Sequence, residues 1–161
     1  MLEPKVHSSQ MPTAIKNSII DISSEETTKE LANDFSNYLK GGEVIFLYGE
    51  MGVGKTTFVK YLINQFQTKK NLIISEVTSP TFNLLNEYDA DNLVIKHYDL
   101  FRLKDESEVK NLDLFDKNKN TITLIEWPEL IKKENFKKTI DLTFNYENEL
   151  NNRSVKIAGL D

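Results

Sequence analysis

Val44-Ile45-Phe46-Leu47-Tyr48 runs directly into Gly49-Glu50-Met51-Gly52-Val53-Gly54-Lys55-Thr56-Thr57, and Phe58-Val59-Lys60-Tyr61-Leu62-Ile63 follows. Five apolar residues in a row read as a buried strand. The middle segment is G-x-x-x-x-G-K-T, the pattern of a phosphate-binding loop, and the last segment reads as a helix with an apolar face. The four fixed positions recur by chance in roughly one chain of this length in two hundred. A strand before and a helix after reduce that further. The stretch therefore predicts a strand, an anion-binding loop and a helix in that order.

The loop works through its backbone. Glycines at 49, 52 and 54 let the main chain come close to an anion, and successive N–H groups point inward with the positive end of the helix behind them. The backbone of Glu50, Met51, Gly52, Val53 and Gly54, with Lys55, Thr56 and Thr57, forms the expected nucleotide cradle. Lys55 supplies a point charge for the β- and γ-phosphates, and the Thr56 hydroxyl is the expected Mg²⁺ ligand.

Outward from the loop, 161 residues suit a single domain, expected over 17–161. Residues 1–16 mix Pro4, Pro12, Ser8 and Ser9 without periodicity and read as a flexible leader. The net charge of −5 argues against the chain gripping a nucleic-acid backbone by itself. Cysteine is absent, which excludes disulfides and thiol chemistry and is compatible with a reducing cytoplasm. There is no apolar run of membrane length. Of the 20 cationic side chains only Arg102 and Arg153 are arginine. That supply is poor for a small-molecule kinase, which usually clamps phosphates with several arginines. Asn118-Lys119-Asn120-Thr121 lacks the acid of a guanine-reading motif, so a GTPase is not expected.

Residues 17–22 read as a short strand. Ser23 with Glu26 three residues later predicts a capped helix carrying Leu31, Phe35 and Leu39 inward and stopping at Gly41-Gly42. Its early acids fit the helix dipole, and Glu26 is also a candidate contact for a nucleotide. A short strand is expected over 72–76. Phe82 to Tyr88 and Leu93 to Tyr98 read as two strands turning at Ala90-Asp91-Asn92. An acidic helix is expected over 105–115, a short helix over 129–136, and two final strands over 139–146 and 153–158.

Two strand ends carry candidate chemistry. Asp99 closes the apolar run before Leu100-Phe101-Arg102, where phosphate-loop enzymes place a carboxylate that directs metal or water; a plain capping role is the alternative. Arg102 is placed to pair with Asp99, with a helix or with a partner. Glu126 closes Thr121-Ile122-Thr123-Leu124-Ile125 and precedes the single Trp127, the arrangement of a second acidic motif that holds Mg²⁺; a helix-start acid is the alternative. Ser79 and Thr81 flank Pro80. Spacing alone favours the lead-in to a strand over a loop that senses a γ-phosphate.

These segments together resemble the TsaE (YjeE) family, small bacterial ATPases needed to make threonylcarbamoyladenosine in tRNA. The resemblance runs from about Ser24 to Arg153. It rests on Glu25-Glu26-Thr27, the 49–57 loop, Ser79-Pro80-Thr81-Phe82 with Glu87-Tyr88, His97 to Leu103, and Leu124 to Glu129. Glu50, Met51, Val53 and Phe101 depart from the commoner Asp, Leu, Ala and Tyr, and none supplies a side chain proposed to bind metal or phosphate. The resemblance implies an α/β P-loop NTPase fold, a compact mixed, mainly parallel sheet flanked by helices. It implies ATP and Mg²⁺, with Thr56 and Glu126 as metal ligands and Lys55, Asp99 and Glu126 as the catalytic set. It further implies TsaB and TsaD proteins as partners, tRNA reached only through that complex, no membrane, and a cytoplasmic ATPase that resets or regulates the transferase subunit. A non-hydrolysing module in which ATP only gates assembly is the other reading.

Overall fold

In the computed structural model, residues 18–112, 114, 118–136, 139–147 and 152–160 are described. The expected leader over 1–16 lies outside them. The first elements are β1 (Ile19–Asp21), α1 (Glu25–Tyr38), β2 (Val44–Tyr48), α2 (Lys55–Lys69), β3 (Leu85–Ala90) and β4 (Leu93–Asp99). They are followed by α3 (Glu106–Val109), β5 (Thr121–Glu126), β6 (Thr139–Tyr146) and β7 (Arg153–Ala158). All seven strands join one sheet in the order β1-β7-β6-β2-β5-β4-β3. The central four, β6, β2, β5 and β4, are parallel, and antiparallel neighbours close both sides. This is the mixed sheet expected of the phosphate-loop fold.

The continuous apolar runs of β2 and β5 are explained by burial on both faces. Side chains alternate across a strand, so parity sorts them. Ile45, Leu47, Ile95, Ile122 and Leu124 pack in the larger core under α1 and α2. Val44, Phe46, Tyr98, Leu100 and Ile125 pack on the opposite face with Val109 and Leu114. α2 contributes Phe58, Val59, Leu62, Ile63 and Phe66, all buried. Each such side chain stabilises the fold by about 1.5–3 kcal/mol before entropy is counted. Phe58 meets Phe35 of α1 edge-on at 5.6 Å between ring centres, which pins the two helices together.

Several expectations shift. The cap of α1 is Ser24, whose side chain accepts from the Thr27 N–H, one residue later than Ser23. Residues 72–76 form no strand; Gln67 ties the segment down instead, donating to Ser75 Oγ and accepting from Ser75 N at 2.8 Å each. β3 begins at Leu85 rather than Phe82, because the chain first turns at 81–83, with Leu84 N donating to Pro80 O. The helix expected over 105–115 is a single turn, α3, capped by Asp105. Beyond it Leu112 still bonds back to Val109, and the end of the expected range lies outside the described residues. The helix expected over 129–136 is two 3₁₀ turns, Pro128–Leu130 and Lys133–Asn135. The β3–β4 turn falls at Asp91-Asn92 as expected, with Asp91 at φ 64°.

Candidate functional site

The loop after β2 opens where the parallel strands end. Gly54 sits at φ 117° as the residue capping α2, a conformation that favours glycine. Gly49 at φ 142° passes so close to β6 that a Cβ there would lie 2.8 Å from the Phe144 carbonyl oxygen. Val53 is buried in the core and anchors the loop, while Met51 is exposed at its tip. A cleft of about 300 Å³ lies above, lined by Met51, Gly52, Gly54, Lys55, Thr56, Thr57, Ser79, Thr81, Asp99, Glu126 and Trp127. That volume is the lower end of the range for small-molecule sites.

Register explains how the acids arrive. β4 and β5 run parallel with Asp99 opposite Glu126 and His97 opposite Leu124. Alternation then puts His97, Asp99, Leu124 and Glu126 on one face, the α2 face. Both carboxylates are buried, Asp99 at 4% exposure and Glu126 at 3%.

Lys55 lies between the loop and the acids. Its ammonium donates to the Gly49 carbonyl at 2.5 Å and stands 3.8 Å from the centre of the Trp127 ring. Burial pushes the Lys55 amine below the usual lysine range, against the pull of the Glu126, Asp99 and Glu129 carboxylates. Trp127 takes left-handed backbone angles, φ 57° and ψ 57°, which cost a non-glycine residue about 1–3 kcal/mol. Phe101 also meets the Trp127 ring, tilted by 52° with 4.9 Å between ring centres.

Thr56, the residue after Lys55, lies with its hydroxyl 3.3 and 3.4 Å from the two oxygens of Glu126, 70 residues away in sequence. His97 was given no role by the sequence, and the structure places its Nε2 2.6 Å from Glu126 Oε2. Asp99 accepts from the Ser79 hydroxyl at 3.0 Å and the Thr81 hydroxyl at 3.1 Å through one oxygen. Its other oxygen accepts from the Phe101 N–H at 3.0 Å, the contact that the capping alternative called for. The favoured reading of Ser79 and Thr81 as a strand lead-in is corrected: they sit on a loop that reaches into the cleft.

Other candidates lie further out. Glu50 is exposed, as is Glu26 on the first turn of α1. Glu25 instead lines a smaller cavity of about 60 Å³ beside the loop, with Thr28, Gly54, Thr57 and Arg153. Arg153 opens β7, where the last strand was expected to begin, and folding carries it to the loop, where it lies over the Tyr146 ring. Arg102 does not pair with Asp99 among the described contacts; its guanidinium lies 5.0 Å from the centre of the exposed Phe82 ring.

The donor set is oxygen only, a hydroxyl and a carboxylate, which suits a hard cation such as Mg²⁺. Among the described residues no group of three acidic or imidazole side chains could cage a metal alone. A Mg²⁺ ion held by one carboxylate and one hydroxyl needs its remaining ligands from phosphate and water, which is how that ion is usually bound with nucleotides.

A family model described as "Threonylcarbamoyl adenosine biosynthesis protein TsaE" matches residues 22–155. A Rickettsia conorii protein named "tRNA threonylcarbamoyladenosine biosynthesis protein TsaE" is 42% identical over 111 residues, 69% of this chain and 61% of that protein. The chain thus spans under two thirds of that relative's length. A protein of the same name from Aquifex aeolicus is 42% identical over 108 residues, covering 67% of this chain and 74% of the relative. One from Bacillus subtilis is 36% identical over 109 residues, covering 68% and 65%. The crystal structure of Bacillus subtilis YdiB shares the fold, with a TM-score of 0.63 at 22% identity over 89% of this chain and 86% of that one.

Proposed function

The chain belongs to the TsaE family, and from that premise we propose that it is the ATP-binding and ATP-hydrolysing subunit of the complex that forms threonylcarbamoyladenosine in tRNA. In this reading it works with TsaB and TsaD proteins in the cytoplasm, meets tRNA only through them, and resets or regulates the transferase subunit. No helix among the described residues is long and apolar enough to cross a membrane.

The observation that carries the reading is the meeting of Thr56 and Glu126 at 3.3 Å beside Lys55, from two distant segments. Lys55 binds the β- and γ-phosphates as a point charge once released from Gly49 and Trp127. The backbone of 50–54, with Thr57, cradles the phosphates. Thr56 and Glu126 hold Mg²⁺, which neutralises charge on phosphate oxygens. Asp99 holds the Ser79 and Thr81 hydroxyls at the lining of the cleft, within the site a nucleotide would enter. Glu26, at the start of α1, is kept as a contact for the rest of the nucleotide, with Glu25 beside it at the smaller cavity.

Neither arginine stands free over the cleft, since Arg102 lies on Phe82 and Arg153 on Tyr146. Fast phosphoryl chemistry usually needs such a cation. The isolated chain therefore turns over at well below about 1 s⁻¹, and TsaB with TsaD raises the rate at least about tenfold, roughly 1.4 kcal/mol off the barrier. Steady-state phosphate release, alone and with saturating partners, is the test. A fast enzyme indifferent to both partners overturns the reading in favour of a kinase or free-standing hydrolase. No turnover in the assembled complex leaves the ATP-gated module.

A further inference from the structure

We infer that His97 is a positioning residue: it fixes the Glu126 carboxylate for a divalent cation by donating its Nε2–H to Oε2. The inference rests on the reading of Glu126 as a Mg²⁺ ligand. His97 is fully buried and does not line the cleft, whereas Glu126 does. Their contact is 2.6 Å, the shortest that Glu126 makes among the described residues. An ionised carboxylate only accepts hydrogen bonds, so the ring must carry its proton on Nε2. Nδ1 is buried without a partner among the described residues. A proton moved there would leave one donor orphaned and set a bare ring nitrogen against the carboxylate.

What the imidazole supplies can be separated from packing. Ile95 and Leu124 fill the same face around it. An apolar side chain would occupy the space without an unpaired nitrogen. The imidazole adds one donor aimed at Glu126, held by the register of two parallel strands. The other support of Glu126 is the Thr56 hydroxyl, which has one proton to share between two oxygens at 3.3 and 3.4 Å. Without His97 the glutamate keeps three rotatable bonds and a like charge, Asp99, on the adjacent strand. With it, Oε2 is tethered from the buried side and Oε1 stays available to an ion. Partners that orient a metal ligand from behind in this way typically matter 10- to 100-fold in metal affinity.

The test uses the full chain. Mg²⁺ is titrated against protein saturated with a non-hydrolysable ATP analogue, and binding is followed by the fluorescence of Trp127 and by calorimetry. His97→Ala raises the Mg²⁺ midpoint about 10- to 100-fold and leaves metal-free analogue binding unchanged. His97→Gln, whose amide nitrogen reaches the place of Nε2, recovers most of the loss. Equal loss of thermal stability in both variants with an unchanged Mg²⁺ midpoint makes His97 a packing residue and overturns the inference. If the variants do not fold, nitrogen-15 NMR of the wild-type histidines decides, with His7 the one other signal. A protonated His97 Nε2 supports the inference, and a bare Nε2 overturns it. Failure of the wild-type chain to bind the analogue at all refutes the ATPase reading. Normal wild-type binding with an unaltered midpoint in His97→Ala refutes the positioning role alone.

Discussion

Asp99 and Glu126 face each other in register at the ends of adjacent parallel strands, and both are nearly inaccessible. They are held in opposite ways. Asp99 accepts three hydrogen bonds of 3.0–3.1 Å, two from hydroxyls of one loop and one from its own following turn. Glu126 accepts one short bond from a buried ring and a long one from Thr56. Asp99 is thereby committed to organising chain, and Glu126 keeps acceptor capacity toward the cleft. Two acids that look alike from the sequence are held differently, and on the proposed function one builds the wall while the other is left to meet the ion.

The division has graded consequences. On the proposed function Lys55→Ala removes the cation that faces the β- and γ-phosphates, so nucleotide turnover falls by about two to three orders of magnitude. Normal ATP affinity with normal turnover in that variant would dissolve the site in which the two are being compared. Glu126→Gln keeps the shape and loses the ion-binding charge. Turnover drops about 100-fold, while analogue binding without metal stays within about twofold. Mg²⁺-dependent hydrolysis at the wild-type level would hand the metal role to Asp99. Asp99→Asn replaces an acceptor of two hydroxyls by an amide, and turnover falls about tenfold. Its distinguishing mark is faster amide hydrogen exchange over residues 79–84, which Glu126→Gln does not produce; the reverse pattern would exchange the two assignments. Ser79→Ala removes one of the two hydroxyl bonds, worth about 1 kcal/mol, and slows turnover by about fivefold or less. A larger loss than in Asp99→Asn would mean that the Ser79 hydroxyl acts on the phosphate directly rather than through Asp99.

The legible parts of this molecule were those where one segment carries its own constraint. The 49–57 loop needs glycine wherever the backbone turns left or approaches β6, and that need is written locally. The two acids were legible because each ends an apolar strand. His97 was not, because a histidine within Val94-Ile95-Lys96-His97-Tyr98 reads as one more strand residue. Its spacing of two from Asp99 was the available signal, since it puts both on one face. Whether it meets Glu126 depends on β4 and β5 being neighbours in a given register, which no local pattern encodes. The place of Arg153 beside the loop was hidden for the same reason, being set by β7 pairing with β6 and β1. The expected α3 failed differently. Glu106, Ser107 and Glu108 start a helix well under the Asp105 cap, yet the described helical turn ends at Val109, and Leu112 and Leu114 beyond it still reach the second core.

In this structure Lys55 already has somewhere to be. The Gly49 carbonyl and the Trp127 ring satisfy its ammonium before any phosphate arrives. On the proposed function a nucleotide therefore binds by competition, and its apparent dissociation constant is the intrinsic one divided by the fraction of molecules in which the lysine is released. A cation–π contact of about 0.5–2 kcal/mol weakens apparent affinity roughly two- to thirtyfold. The same contact acts in reverse once phosphate departs, because the ring reclaims the ammonium and lowers the odds of recapture. Trp127→Leu then tightens nucleotide binding and slows its release, an outcome opposite in sign to the usual loss when an aromatic residue is cut from the wall of a binding site.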